Sequence, residues 1–165
     1  MVEVKDEKEE AAHVVSVAEE ASKNDESLAV LYRTNAQSRA VEEALMRRNV
    51  PYRLVGGVRF YDRAEVKDML ACIRIVANQK DLVSWERIEK NFGKRIKSKL
   101  IELLDKEGDD FKKNEPRILL DRMAEETGYL DRFDEKDEDD VARLENIREL
   151  MAVASEFDNL ADFLE

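Results

Sequence analysis

One cysteine, one histidine, one tryptophan, two prolines and five glycines in 165 residues exclude several kinds of protein at once. A single thiol, Cys72, builds neither a disulfide framework nor a cysteine-only zinc site. It stands in a helical apolar run and reads as a small core residue. The one histidine, His13, reads as a surface or half-buried residue of an amphipathic helix, and no Ser/His/Asp set forms around it. The expected catalytic and metal-ligating sets are therefore empty. No run of eighteen apolar residues occurs and no cleavable leader precedes the first charges, which points to a cytoplasmic chain without a membrane partner. The glycines are Gly56, Gly57, Gly93, Gly108 and Gly128. None stands in a Gly-x-x-x-x-Gly-Lys-Ser/Thr loop, whose backbone amides wrap phosphates and whose lysine reaches them. The chain has no such ATP-hydrolysis loop and no dinucleotide fingerprint. So few glycines and prolines leave few turns, and helix should dominate.

What is abundant is charge, at 41% of residues against a usual quarter, beside 43% hydrophobic residues, enough for a core. The net charge of −11 is unevenly spread. Residues 26–99 hold 16 Lys/Arg against 9 Asp/Glu, a balance of +7. Residues 1–25 stand at −5 and residues 100–165 at −13. An acidic total thus conceals a basic middle, and that asymmetry is the useful signal for an anionic partner.

Apolar spacing predicts an amphipathic helix over 5–22, through Ala11, Val14, Val15, Ala18 and Ala21. Leu28 to Arg33 is a short apolar, β-branched and aromatic run that reads as a buried strand. Thr34, three residues before Gln37, fits a capping box opening a helix that Asn49-Val50-Pro51 stops. Tyr52 to Val55 reads as a second strand, ended by Gly56-Gly57. A helix over 63–77 turns Val66, Met69, Leu70, Ile73 and Val76 inward. This alternation predicts an α/β layer with parallel strands. After residue 79 the pattern is helical only, with helices over 82–90, 94–106, 117–131 and 140–157. A further helix begins at Asn159. The expected fold class is α/β and helix-rich, with one part at 1–79 and an all-α part at 80–165.

Two places carry chemistry. At Tyr32-Arg33-Thr34-Asn35 a strand end runs into a helix N-terminus. Free amides and the helix dipole favour an anion there, with Arg33 adding a charged donor and Asn35 a neutral one. Equally, Thr34 and Asn35 can serve only as helix caps. Arg59-Phe60-Tyr61 follows a Gly-Gly bend and sets a cation beside two aromatics, a combination that can grip a phosphate and stack a base. The competing reading packs Phe60 and Tyr61 into the core. Arg63, Glu65, Lys67 and Asp68 read as helix-surface ion pairs of small value.

At these residues the chain resembles the UvrD/PcrA/Rep group of superfamily 1 DNA helicases. Residues 32–39 are similar to a motif of that family's second RecA-like domain, and Val50 to Asp68 to the segment that follows it. Asp6 to Ala21 resembles the preceding acidic helix. Arg143 to Phe157 resembles a helix of the inserted accessory subdomain. Phe92-Gly93-Lys94-Arg95-Ile96-Lys97 departs from the family's Pro-x-Arg-Gly-Ile-Gly pattern. The resemblance implies a partial RecA-like layer at 1–79 and a partial accessory subdomain at 80–165. It implies an interior piece of an ATP-dependent 3′–5′ helicase that uses ATP and magnesium, neither bound by this chain. It further implies single-stranded or partly duplex DNA as partner, with Arg33 and Asn35 on the strand backbone and Arg59 near its path. Protein partners are implied for the accessory helices. Open strand edges at 28–33 and 52–55 predict a homodimer or strand exchange. The competing function is an acidic helical interaction module with no nucleic-acid role.

Overall fold

Asp6, Asp81, Asp137 and Asn159 each stand just before a helix, and each side chain accepts a backbone N–H from its first turn at 2.8–3.1 Å. Such caps satisfy amides that the helix itself leaves without partners. In the computed structural model, which describes residues 3–165, the resulting helices are α1 (Glu7–Lys23), α2 (Ser38–Arg47), α3 (Ala64–Ala77), α4 (Leu82–Phe92), α5 (Lys94–Glu107), α6 (Pro116–Thr127), α7 (Glu138–Ala154) and α8 (Leu160–Leu164). Short 3-10 turns cover Asn35–Gln37, Phe60–Asp62, Gly108–Lys113 and Leu130–Arg132.

The expected α/β class is overturned: no strand occurs among the described residues, so there is no partial RecA-like layer and the architecture is all helical. Residues 28–33 and 52–55 form neither helix nor strand, and no ladder joins them to anything. A strand consists of hydrogen bonds to a neighbour, which composition cannot supply. The run expected to be buried is open, with Leu31 94% exposed and Leu28, Val30 and Tyr32 also on the surface.

The chain divides into two compact units after Asp62. In the first, α1 packs on α2, burying Ala11, Val15, Ala21 and Leu45. The buried positions of α2 are Ser38, Arg39, Glu42 and Leu45, mostly polar, and Ala40, Val41 and Ala44 are only half-buried. Asn49, at φ 54°, takes the left-handed conformation that ends α2 before Pro51.

In the second unit α3 contacts α4, α6, α7 and α8. It is surrounded on most sides: Val66, Met69, Cys72, Ile73 and Ile75 are fully buried, while Arg74 and Ala77 stay exposed. Each such large side chain contributes roughly 1.5–3 kcal/mol. The division into units falls earlier than the change in pattern at residue 79, because α3 packs with the helices that follow it.

Candidate nucleic-acid interface

The start of α2 is held by its own side chains. Thr34 is extended, and Gln37 Oε1 accepts from the backbone N–H of Thr34 at 3.1 Å and of Arg33 at 2.9 Å. This is the reciprocal half of the capping box that the Thr34–Gln37 spacing predicts. Ser38 Oγ lies 2.9 Å from Asn35 O and 2.8 Å from Glu42 Oε1, so its one hydrogen serves either acceptor in turn. Arg33 and Asn35 are exposed on either side of Thr34. Arg33 stands in a segment without regular structure and Asn35 opens the 3-10 turn, so neither leaves from a strand end.

Arg39, in the same motif, has a different role. It is buried, donating to Glu7 of α1 at 2.6 Å and to Glu43 one turn along α2 at 3.0 Å. It fastens α1 to α2, and two carboxylates offset the cost of burying its charge.

Arg59 is exposed, and its guanidinium carbon stands 5.6 Å from the centre of the Tyr52 ring, within cation–π range. Burial raises the Tyr52 phenol above its ordinary pKa, the Glu42 charge adds to this, and Arg59 opposes it. Phe60 is 1% exposed and belongs to the core, as the packing reading had it. Tyr61 does not follow it inward. Its hydroxyl donates to Glu43 Oε1 at 2.7 Å while its ring meets Phe60 edge-on at 5.1 Å.

The second unit holds functional-looking residues that spacing alone misassigns. Arg63, Glu65 and Asp68 are buried, not surface ion pairs. Asp68 Oδ1 accepts from Arg87 Nε at 2.7 Å and Asn91 Nδ2 at 2.6 Å, and Oδ2 from Tyr129 Oη at 2.7 Å. Arg63 donates to Asn146 Oδ1 and Asn146 Nδ2 donates to Glu65 Oε1, each at 2.6 Å. Trp85, Leu82, Ile101 and Leu104 line a cleft of about 340 Å³ between α4 and α5, with Gln79 and Lys97 at its polar side.

Gly93 and Gly108 have positive φ at helix ends, and Gly128 ends α6 in the left-handed region. Among the described residues no three His, Cys, Asp or Glu side chains converge as a metal site. His13 is exposed on α1.

Comparison with known proteins places these motifs. The family described as UvrD-like helicase C-terminal domain matches residues 1–133. An ATP-dependent DNA helicase PcrA of Staphylococcus epidermidis is 47% identical over 85 residues, covering 50% of this chain and 12% of that protein. A PcrA of Staphylococcus aureus is 56% identical over 63 residues, covering 38% of this chain and 9% of the relative. A probable DNA helicase II homolog of Rickettsia felis is 29% identical over 202 residues, covering 96% of this chain and 31% of the relative. The chain thus spans less than a third of the length of each of these curated relatives.

Proposed function

Because this chain belongs to the UvrD-like helicase C-terminal domain family, we propose that it forms part of an ATP-dependent 3′–5′ DNA helicase acting in repair or replication. Its own share is to hold single-stranded DNA through Arg33, Asn35 and Arg59. The observation that supports this most directly is the exposed Arg59 guanidinium over Tyr52, in the same compact unit as the exposed Arg33 and Asn35. Arginines of that kind neutralise strand phosphates, and a nearby aromatic face accepts a base. ATP and magnesium belong, in this reading, to the whole helicase, and no step is assigned to them here. The activity is cytoplasmic. No helix among the described residues is long and apolar enough to cross a membrane.

Two further partners belong to the proposal. The exposed apolar run Leu28, Val30, Leu31 and Tyr32 is a surface for self-association into a homodimer. Leu82 and Val83, both 78% exposed beside the α4–α5 cleft, favour a protein or duplex-DNA contact on the helical unit.

Fluorescence anisotropy with a labelled single-stranded oligodeoxythymidine, read across a salt series, tests the main reading. The chain should bind at low salt. Arg33→Ala and Arg59→Ala should each weaken binding and reduce the slope of log K against log salt by about 0.7. Asn35→Ala should weaken binding with the slope unchanged. No binding at low salt, or arginine variants that bind like the parent, would sink it.

A further inference from the structure

The loop that carries Arg59 has almost nothing apolar to hold it. Between Pro51 and Arg59 there is no regular structure; Gly56 sits at φ 77°, and Val55 and Val58 are 79% and 57% exposed. Its ends are fastened instead. Tyr52 Oη donates to Glu42 Oε2 at 3.3 Å, and Tyr61 Oη donates to Glu43 Oε1 at 2.7 Å. The two acceptors are consecutive residues of α2, and both are themselves fixed. Glu42 is buried against Ser38, and Glu43 accepts from Arg39, which Glu7 holds from α1.

We infer that the Tyr52 and Tyr61 hydroxyls are positioning groups, clamping both ends of the Arg59 loop to α2, the helix that directly follows Arg33 and Asn35 in the chain. The inference rests on the single-strand reading above and adds to it the device that holds the three contacts in register. An arginine on a loose loop must be ordered when a strand binds, and that ordering subtracts from affinity. A loop already fixed at both ends avoids most of this loss. The Tyr52 ring does a second service by lying under the Arg59 guanidinium, which limits its rotamers from below. A hydroxyl is needed at Tyr61 because the ring lies at the surface, 37% exposed, where packing alone gives little hold.

The test is a set of double-mutant cycles on oligodeoxythymidine binding, with Tyr61→Phe and Tyr52→Phe each made alone and in the Arg59→Ala background. Each substitution removes one oxygen and keeps the ring, and Phe60 remains buried, so the fold is retained; circular dichroism melts check this. Tyr61→Phe should weaken binding by about two- to tenfold and Tyr52→Phe by less, as expected for one hydrogen bond of modest net value. Both effects should vanish in the Arg59→Ala background, because there is then no Arg59 to position. A general structural role would instead give the same loss in both backgrounds, and that result overturns the inference. So does a Tyr61→Phe protein that binds like the parent while Arg59→Ala is impaired, and in that case the single-strand reading still stands. Parent and Arg59→Ala proteins that bind equally would overturn both.

Discussion

Tyr129 Oη donates to Asp68 Oδ2 across 2.7 Å, joining α3 to the turn that follows α6 over 61 positions of sequence. The same carboxylate collects Arg87 and Asn91 of α4. Arg132 lies over the rings of Tyr129 and Phe92 at 5.4 and 5.8 Å and donates to Asn91 O at 3.0 Å. Three elements are therefore locked around one buried anion. Asp68→Ala leaves Arg87, Asn91 and Tyr129 without their common acceptor and should cost about 3 kcal/mol, read from urea unfolding. Tyr129→Phe keeps the ring packing and should cost about 1–2 kcal/mol.

Burial, then the hydrogen bond to Asp68 and its charge, hold the Tyr129 phenol well above its ordinary pKa. Its folded value is raised, so the contribution to stability is intact below the unfolded value of about 10. It is lost as the pH rises from there toward the folded value, because the unfolded chain ionises first. Urea midpoints should fall on the alkaline side of pH 10, and less steeply for Tyr129→Phe. A parent and variant with parallel alkaline limbs would contradict the linkage.

Much of the helical pattern was legible. Val66, Met69, Leu70, Ile73 and Val76 all face inward as spaced. The absence of strands among the described residues was not legible, because Leu28–Arg33 has strand composition but no pairing partner. Composition reports what a residue tolerates, whereas a ladder depends on where another segment lies. The same limit explains Arg63, Glu65 and Asp68. Their partners lie 19 to 83 positions away, and nothing local distinguishes a buried ion network from a solvated one. At the candidate interface, Arg33, Asn35 and Arg59 were legible as exposed basic and polar groups. The tyrosine tethers to Glu42 and Glu43 were not, since they cross a loop.

Asn146 bridges the buried Arg63 and Glu65 with one acceptor and one donor. Asn146→Asp preserves the shape but replaces the donor facing Glu65 with a second carboxylate. The variant should be less stable at neutral pH by about 2 kcal/mol. The deficit should shrink as the pH falls, because the close carboxylates share a proton and their folded pKa is raised. A deficit that is constant between pH 7 and about pH 4.5 would contradict this account.

Cys72 is fully buried in α3, and burial, followed by the charge of Asp68, pushes its thiol pKa up to about 12. The thiolate is the reactive form. A disulfide reagent at pH 8 should therefore leave Cys72 unmodified in the folded chain and react stoichiometrically once urea has unfolded it. Rapid labelling without denaturant would mean that α3 opens far more readily than its packing against α4, α6, α7 and α8 implies.

Leu31 is 94% exposed in a segment without regular structure. Leu31→Glu removes no packing, so its unfolding free energy should stay within about 0.5 kcal/mol of the parent. Light scattering at high concentration should nonetheless shift toward monomer, if the exposed run 28–32 is the surface through which copies associate. An unchanged oligomeric state would remove that surface from consideration.

Gly128 ends α6 at φ 61° and ψ 32°, where its N–H donates to Glu125 O at 3.2 Å and the next residue, Tyr129, donates its N–H to Ala124 O at 3.1 Å. That turn aims the Tyr129 side chain at Asp68. A Cβ at Gly128 would meet only Asp131 Oδ2, at an ordinary 3.6 Å, so any penalty is conformational rather than steric. Gly128→Ala should cost about 1 kcal/mol, because alanine resists the left-handed region. Gly128→Asn should cost less, since asparagine visits that region more readily. Thermal unfolding of the two variants side by side separates these outcomes. Equal losses would show that the turn is limited by space, not by backbone preference.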